Sequence, residues 1–170
     1  MADRVIGKPE APVTIIEYAS LTCPHCAAFH RDTLPKLKSQ YIETGKIKLI
    51  FRDFPLDSRA TVAAMVARCA PRDRYFSFVD ALFRGQDQWA RSDDPMKALA
   101  QIARLGGMTE ADFEACTKNE ALFQAVRKER ADAESQFGVN ATPSFIINGK
   151  KADNVFSFES FEKALKPLVK

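Results

Sequence analysis

The feature that most constrains the fold is a dithiol, Cys23-Pro24-His25-Cys26, placed just after the run Val13-Thr-Ile-Ile-Glu-Tyr-Ala19. The run is β-branched and apolar and reads as a buried strand. Pro24 suits the first position of a helix, and Gly45 can end it. A strand passing into a helix with two cysteines at the junction is the setting a redox C-x-x-C pair requires. Cys23 would face the first free N–H groups and the positive end of the helix, which favour thiolate over thiol. His25 adds a donor and a possible charge beside it, and Cys26, deeper in the helix, would serve as the resolving thiol. A dithiol whose reduced form is stabilised is an oxidant.

The alternatives for the motif are a zinc ligand pair and a plain cystine. Zinc usually takes a second pair at matching spacing, and the other cysteines, Cys69 and Cys116, lie far apart without a C-x-x-C of their own. Neither alternative accounts for the strand before the motif or the helix after it, so no metal is expected. No cofactor is implied either, because the sulfurs themselves carry the electrons.

Beyond the first helix, Pro35 should kink the rod, and Lys46 to Phe54 reads as a second strand ended by Pro55. From Ser58 to Phe137 the signals are helical. Val62, Met65, Val66 and Cys69 recur at helical spacing, with Ser58 as cap and Pro71 as stop. Tyr75 to Phe83, Asp94 to Gly106, Thr109 to Cys116 and Glu120 to Phe137 give further helices, the third opened by a capping box at Thr109-Glu-Ala-Asp112. Ser144 to Ile147 is strand-like. Asn148-Gly149 signals a hairpin into a short strand near Val155, and Ser157 caps a last helix with Phe158, Phe161, Leu165 and Leu168 inward.

The order βαβ, helical block, ββα is that of a thioredoxin fold with a large helical insertion. Residues 1–56 and 138–170 would form a discontinuous thioredoxin-like domain, and 57–137 the inserted helical subdomain. A chain of 170 residues allows one well-buried unit. Its 46% hydrophobic and 28% charged residues are a globular balance. The net charge of +3 is spread along the chain, which argues against a nucleic-acid surface. No stretch approaches the ~18 apolar residues of a membrane span. Met1 to Pro9 has no apolar leader segment, so a cytosolic protein and a mature exported one both remain open.

Glu17 stands in a strand expected to be buried, where a carboxylate is costly unless paired or protonated. Lys48 or Arg52 of the next strand could pair with it. His30, one of two histidines, reads as a surface helix residue. Phe76, Phe78 and Phe83 read as core. Cys69 and Cys116 should each point into the core of the insertion. There they would form a structural disulfide, or remain two buried thiols.

The chain resembles the DsbA-like family. The resemblance rests on Cys-Pro-His-Cys, on Ala11-Pro-Val-Thr-Ile-Ile-Glu-Tyr18, on Phe76 to Phe83, and on Gly138-Val-Asn-Ala-Thr-Pro-Ser-Phe-Ile-Ile-Asn-Gly149. It implies catalysis by Cys23 and Cys26 with Pro24 and His25 between them. It also implies a cis bond at Thr142-Pro143, whose backbone would pair with substrate, and a proton-transfer role for Glu17. The implied activity is a disulfide oxidase acting on reduced, unfolded or partly folded exported proteins. A quinone-linked membrane partner of the DsbB type would reoxidise it, and the protein would be a periplasmic monomer. An isomerase or reductase of the same fold, or a redox-inactive binding or chaperone module, are the competing readings.

Overall fold

The computed structural model describes residues 1–170. Its centre is a five-stranded sheet in the order β1-β3-β2-β4-β5, built from β1 (Arg4–Ile6), β2 (Val13–Ala19), β3 (Ile47–Asp53), β4 (Ser144–Ile147) and β5 (Lys150–Ala152). β2 and β3 run parallel, and the other neighbours are antiparallel. β2 is central because its apolar residues can be covered on both faces. Val13, Ile15 and Glu17 point to one side, and the pleat sends Thr14, Ile16 and Tyr18 to the other.

The crossover between β2 and β3 is a helical rod with irregular turns. α1 (Pro24–Ala28) leads into a π-helical turn (Phe29–Thr33), α2 (Leu34–Leu37) and a second π-helical turn (Lys38–Ile42). The Leu34 N–H reaches back to the Phe29 carbonyl, so the widened turn immediately precedes Pro35. The irregularity expected at that proline therefore takes the form of a π turn just ahead of it.

The insertion carries α3 (Ser58–Cys69), a 3₁₀ turn (Arg72–Arg74), α4 (Tyr75–Arg84), α5 (Gln86–Trp89), α6 (Pro95–Leu105), α7 (Glu110–Thr117) and α8 (Glu120–Phe137). The chain then returns through β4 and β5 to α9 (Phe158–Leu165). One apolar cluster runs from Ile15 and Leu49 of the sheet to Val66, Val79 and Leu99 of the insertion. The insertion thus shares its core with its host. A buried ion cluster adds a second tie. The Arg68 guanidinium on α3 lies 3.2 Å from Asp53 and 3.5 Å from Glu129 of α8, and donates to the Ala2 carbonyl.

Three local expectations need correcting, and one strand was unforeseen. The N-cap of α3 is Asp57, whose Oδ1 accepts from the Ala60 N–H at 2.8 Å; Ser58 is the first helical residue. The final strand ends at Ala152, because the hairpin at Asn148 and Gly149 pairs Ile147 with Lys150 and the short ladder is used up before Val155. Leu168 lies beyond the end of α9 and is exposed. β1 was not anticipated, since three residues carry no readable period.

Cys69 and Cys116 are joined by a disulfide, with Cα atoms 6.1 Å apart. Cys116 is buried, but Cys69 is exposed, contrary to the expectation that both point inward. It is the last residue of α3, where the helix leaves the core.

Candidate active site

Cys23 is the N-cap of α1. Its backbone is extended (φ −81°, ψ 119°), and its sulfur accepts the Cys26 N–H at 3.4 Å. Pro24 occupies the first helical position, where a missing N–H does no harm. This is the arrangement in which an N-cap side chain takes up a free helix donor, here with sulfur in place of the usual oxygen. Cys23 is 6% exposed and Cys26 0%, so the two thiols differ in access, although even the outer one is largely covered. Both cysteines are free thiols in this structure.

The two sulfurs also differ in acidity. Cys23 is brought down to about 5, first by a hydrogen bond from Cys26. Burial opposes that shift, while Thr142 and the backbone N–H groups of Cys26 and His25 assist it. Cys26 goes well above the usual thiol value, mainly because it is buried, with the Cys23 and Glu17 charges adding to the effect. One thiol is thus held ready as an anion and the other as a neutral acid.

The Thr142-Pro143 peptide bond is cis. Its loop stands over the dithiol, with the Thr142 carbonyl 3.5 Å from the Cys23 sulfur. The Thr142 hydroxyl is buried and otherwise unpartnered, which leaves it free to donate to a Cys23 thiolate. The His25 side chain is exposed beside the motif and makes no hydrogen bond.

Glu17 is 0% exposed. Its partner is neither Lys48 nor Arg52. The parallel register places Glu17 opposite Phe51, so both basic residues emerge on the other face of the sheet. There Lys48 donates to the Pro9 carbonyl, and Arg52 binds Asp3 and the Tyr18 hydroxyl. The partner of Glu17 is His30, whose Nε2 lies 3.0 Å from each carboxylate oxygen. The reading of His30 as a surface residue is therefore overturned: its side chain is 3% exposed and packs among the rings of Phe29, Phe51 and Phe83. Burial alone would lower the His30 pKa, but the Glu17 carboxylate, with Asp80 nearby, raises it to about 9. A signal for this was present in the sequence. His30 follows Cys26 by one helical turn, and residues four apart share a helix face.

Gln86 was missed as well. It reaches in from α5, and its amide nitrogen donates to the carbonyls of Leu21 (2.8 Å) and Cys23 (3.0 Å). The insertion thereby holds the turn that presents Cys23, a long-range contact that nothing in the local sequence announces. Phe78 and Phe83 are buried as core residues, and Phe76 is half-buried. No group of three or more His, Cys, Asp or Glu side chains is clustered as a metal site, and no helix is long and apolar enough to cross a membrane.

Residues 1–167 match the family model described as Thioredoxin. A Rickettsia felis protein, whose given name assigns it provisionally to the protein-disulfide oxidoreductases, is 33% identical over 169 residues, covering 96% of this chain and 59% of that protein. The chain spans about three-fifths of the length of such curated relatives. Wolbachia pipientis alpha-DsbA1 superposes with a TM-score of 0.90 at 35% identity, over 98% of this chain and 90% of that one. A Novosphingobium aromaticivorans protein named as a protein-disulfide isomerase superposes with a TM-score of 0.86 at 28% identity, over the full length of both chains. The matched model and the close likeness to the Wolbachia protein make this chain a DsbA-like member of the thioredoxin family.

Proposed function

We propose that the chain is a thiol-disulfide oxidase that introduces disulfides into reduced, unfolded or partly folded exported polypeptides through Cys23 and Cys26. The observation that carries this reading is the asymmetric dithiol at a helix N-terminus: Cys23 accepts the Cys26 N–H and faces the Thr142-Pro143 loop, while Cys26 is sealed behind it. A substrate thiolate attacks the Cys23 sulfur of the oxidised pair, and Cys26 leaves. A second substrate thiolate then displaces Cys23. The last step is favourable because Cys23 is a stable anion and so a good leaving group. Pro24 and His25 shape the motif, and the backbone beside Thr142 and Pro143 lies where an extended substrate segment can pair. Glu17 supplies and takes up the Cys26 proton. The Cys69–Cys116 disulfide is structural.

The cycle needs an external oxidant, and a quinone-linked membrane protein of the DsbB type fits that role. A periplasmic location and a monomeric state complete the proposal. Disulfide formation in a reduced, denatured test protein tests it, with free thiols counted against time. Stoichiometric thiol loss from substrate, matched by reduction of the Cys23–Cys26 pair, supports an oxidase. An isomerase is the second reading, favoured by the likeness to the Novosphingobium protein-disulfide isomerase. Rescue of a scrambled, fully oxidised substrate, without net thiol oxidation of a reduced one, would favour it over the first.

A further inference from the structure

His30 presents its two ring nitrogens to two different environments. Nε2 is bound to Glu17 on β2, within the core. Nδ1 is buried without a hydrogen-bond partner. His30 lines a pocket of about 530 Å³ that lies between α1 and α4, beside the dithiol. The pocket opens to solvent past Asp80 and Arg84 of α4, Asp87 of α5 and Arg31 of the π turn, all exposed. Asp80 Oδ1 is 3.9 Å from Nδ1, too far for a direct hydrogen bond and close enough for one water to join them. Arg31 is engaged with Asp32 at 2.8 Å and leaves Nδ1 alone.

We propose that His30 is a proton relay acting through Glu17, passing protons between this pocket and the buried Cys26 sulfur. The inference rests on the thiol-disulfide exchange proposed above and explains how a sealed thiol follows the chemistry. When a substrate thiolate bonds to Cys23, the Cys23–Cys26 bond breaks and its electron pair goes to Cys26. The substrate sulfur is oxidised and Cys26 is reduced. The Nε2 proton of His30 passes to the Glu17 carboxylate and from it to the new thiolate, leaving His30 neutral with its remaining proton on Nδ1, towards the pocket. Reoxidation of the pair runs the same path outward. The charge state suits this role, because His30, held at about 9, carries both ring protons at neutral pH. The Glu17 carboxylate is bonded to His30, and its charge also pushes Cys26 upward.

His30 acts through Glu17, so its test must separate proton movement from support of the fold. In His30→Gln the amide can still donate to Glu17 but cannot pass a proton through. Single-turnover transfer of the Cys23–Cys26 disulfide to a reduced dithiol peptide is followed with and without added imidazole, a proton carrier small enough for the pocket. The wild-type rate should barely respond to imidazole. H30Q should be slower by about tenfold, less than the roughly 10²–10⁴-fold supplied by a group that touches the reacting atom because His30 acts through Glu17, and should regain rate as imidazole rises. Its equilibrium with glutathione should stay within about threefold of wild type, because that is governed by Cys23. H30Q transferring at the wild-type rate, or a loss that imidazole does not restore, overturns the relay. Should H30Q fail to fold, the exposed Asp80→Asn carries the same test: a loss of about threefold restored by imidazole supports the relay, and an unchanged rate overturns it. A wild-type chain that transfers no disulfide overturns the proposed function itself, and shows this before any substitution is made.

Discussion

His30 Nε2 is equidistant, at 3.0 Å, from both oxygens of the Glu17 carboxylate, and both side chains are withdrawn from solvent directly behind the dithiol. A buried pair of this kind need add little net stability, because desolvation offsets attraction, yet breaking it on one side is costly. His30→Leu should destabilise the oxidised protein by about 3 kcal/mol, since it strands Glu17 without a partner. The double variant E17L/H30L should recover most of that loss. Urea denaturation of the four proteins checks this, and strictly additive losses would contradict it.

The same pair sets a pH dependence. The folded pKa of His30, about 9, lies above the ordinary 6.5. Its stabilising contribution is therefore complete below 6.5 and is lost as pH rises towards 9. The oxidised protein should lose stability across that window, and H30Q should lose less. Working with the oxidised form removes the titration of Cys23, which runs the opposite way. Parallel curves for the two proteins would show that His30 is not charged in the fold.

Cys23, brought down to about 5, should be alkylated in mildly acidic solution while Cys26 is spared. Thr142→Val removes the one hydroxyl free to meet the thiolate. A hydrogen bond to a charged group is worth about 1.5–3 kcal/mol, so the acid dissociation constant of Cys23 should fall at least about tenfold. Thiolate absorbance against pH reads this directly. An unchanged titration would place the Thr142 hydroxyl outside the site's electrostatics.

Gln86→Ala should loosen the turn before α1 from a distance. Two donated hydrogen bonds go, and the Leu21 carbonyl is left buried, for a loss of about 1–3 kcal/mol. The Cys23 carbonyl keeps the Ala27 N–H at 3.1 Å, which limits the damage. Disulfide transfer should slow along with the loss of stability. Wild-type stability in the variant would mean that the insertion does not brace the motif.

The Cys69–Cys116 disulfide closes a separation of 47 residues. Its removal as C69A/C116A should cost about 4 kcal/mol in the chain-entropy account, without altering the Cys23 titration. Denaturant midpoints of the variant check the first part, and thiolate absorbance the second.

The sheet and its dithiol were legible because the signals for them are local. Val13 to Ala19 is long and β-branched, Pro24 can only open a helix, and Asn148-Gly149 fixes a two-residue hairpin. The face of the sheet on which Glu17 lies was not legible in the same way. Its partner depends on the register with Phe51, which no single strand carries, and so the sequence offers Lys48 and Arg52 and not His30. The four-residue spacing from Cys26 is the signal that could have placed His30 inward, where its pairing with Glu17 outweighs its polarity. Asp57 in place of Ser58 as cap, and the exposure of Cys69 at its helix end, are one-residue matters where sequence signals are weakest.

The most direct test of the account is the equilibrium of the Cys23–Cys26 pair with glutathione, read by alkylation and mass spectrometry. A stabilised Cys23 thiolate predicts an oxidising pair. It should be mostly reduced at glutathione ratios poised near about −200 mV, where a couple like that of thioredoxin, at about −270 mV, stays oxidised. A Cys23–Cys26 disulfide that persists under those conditions would contradict the oxidase.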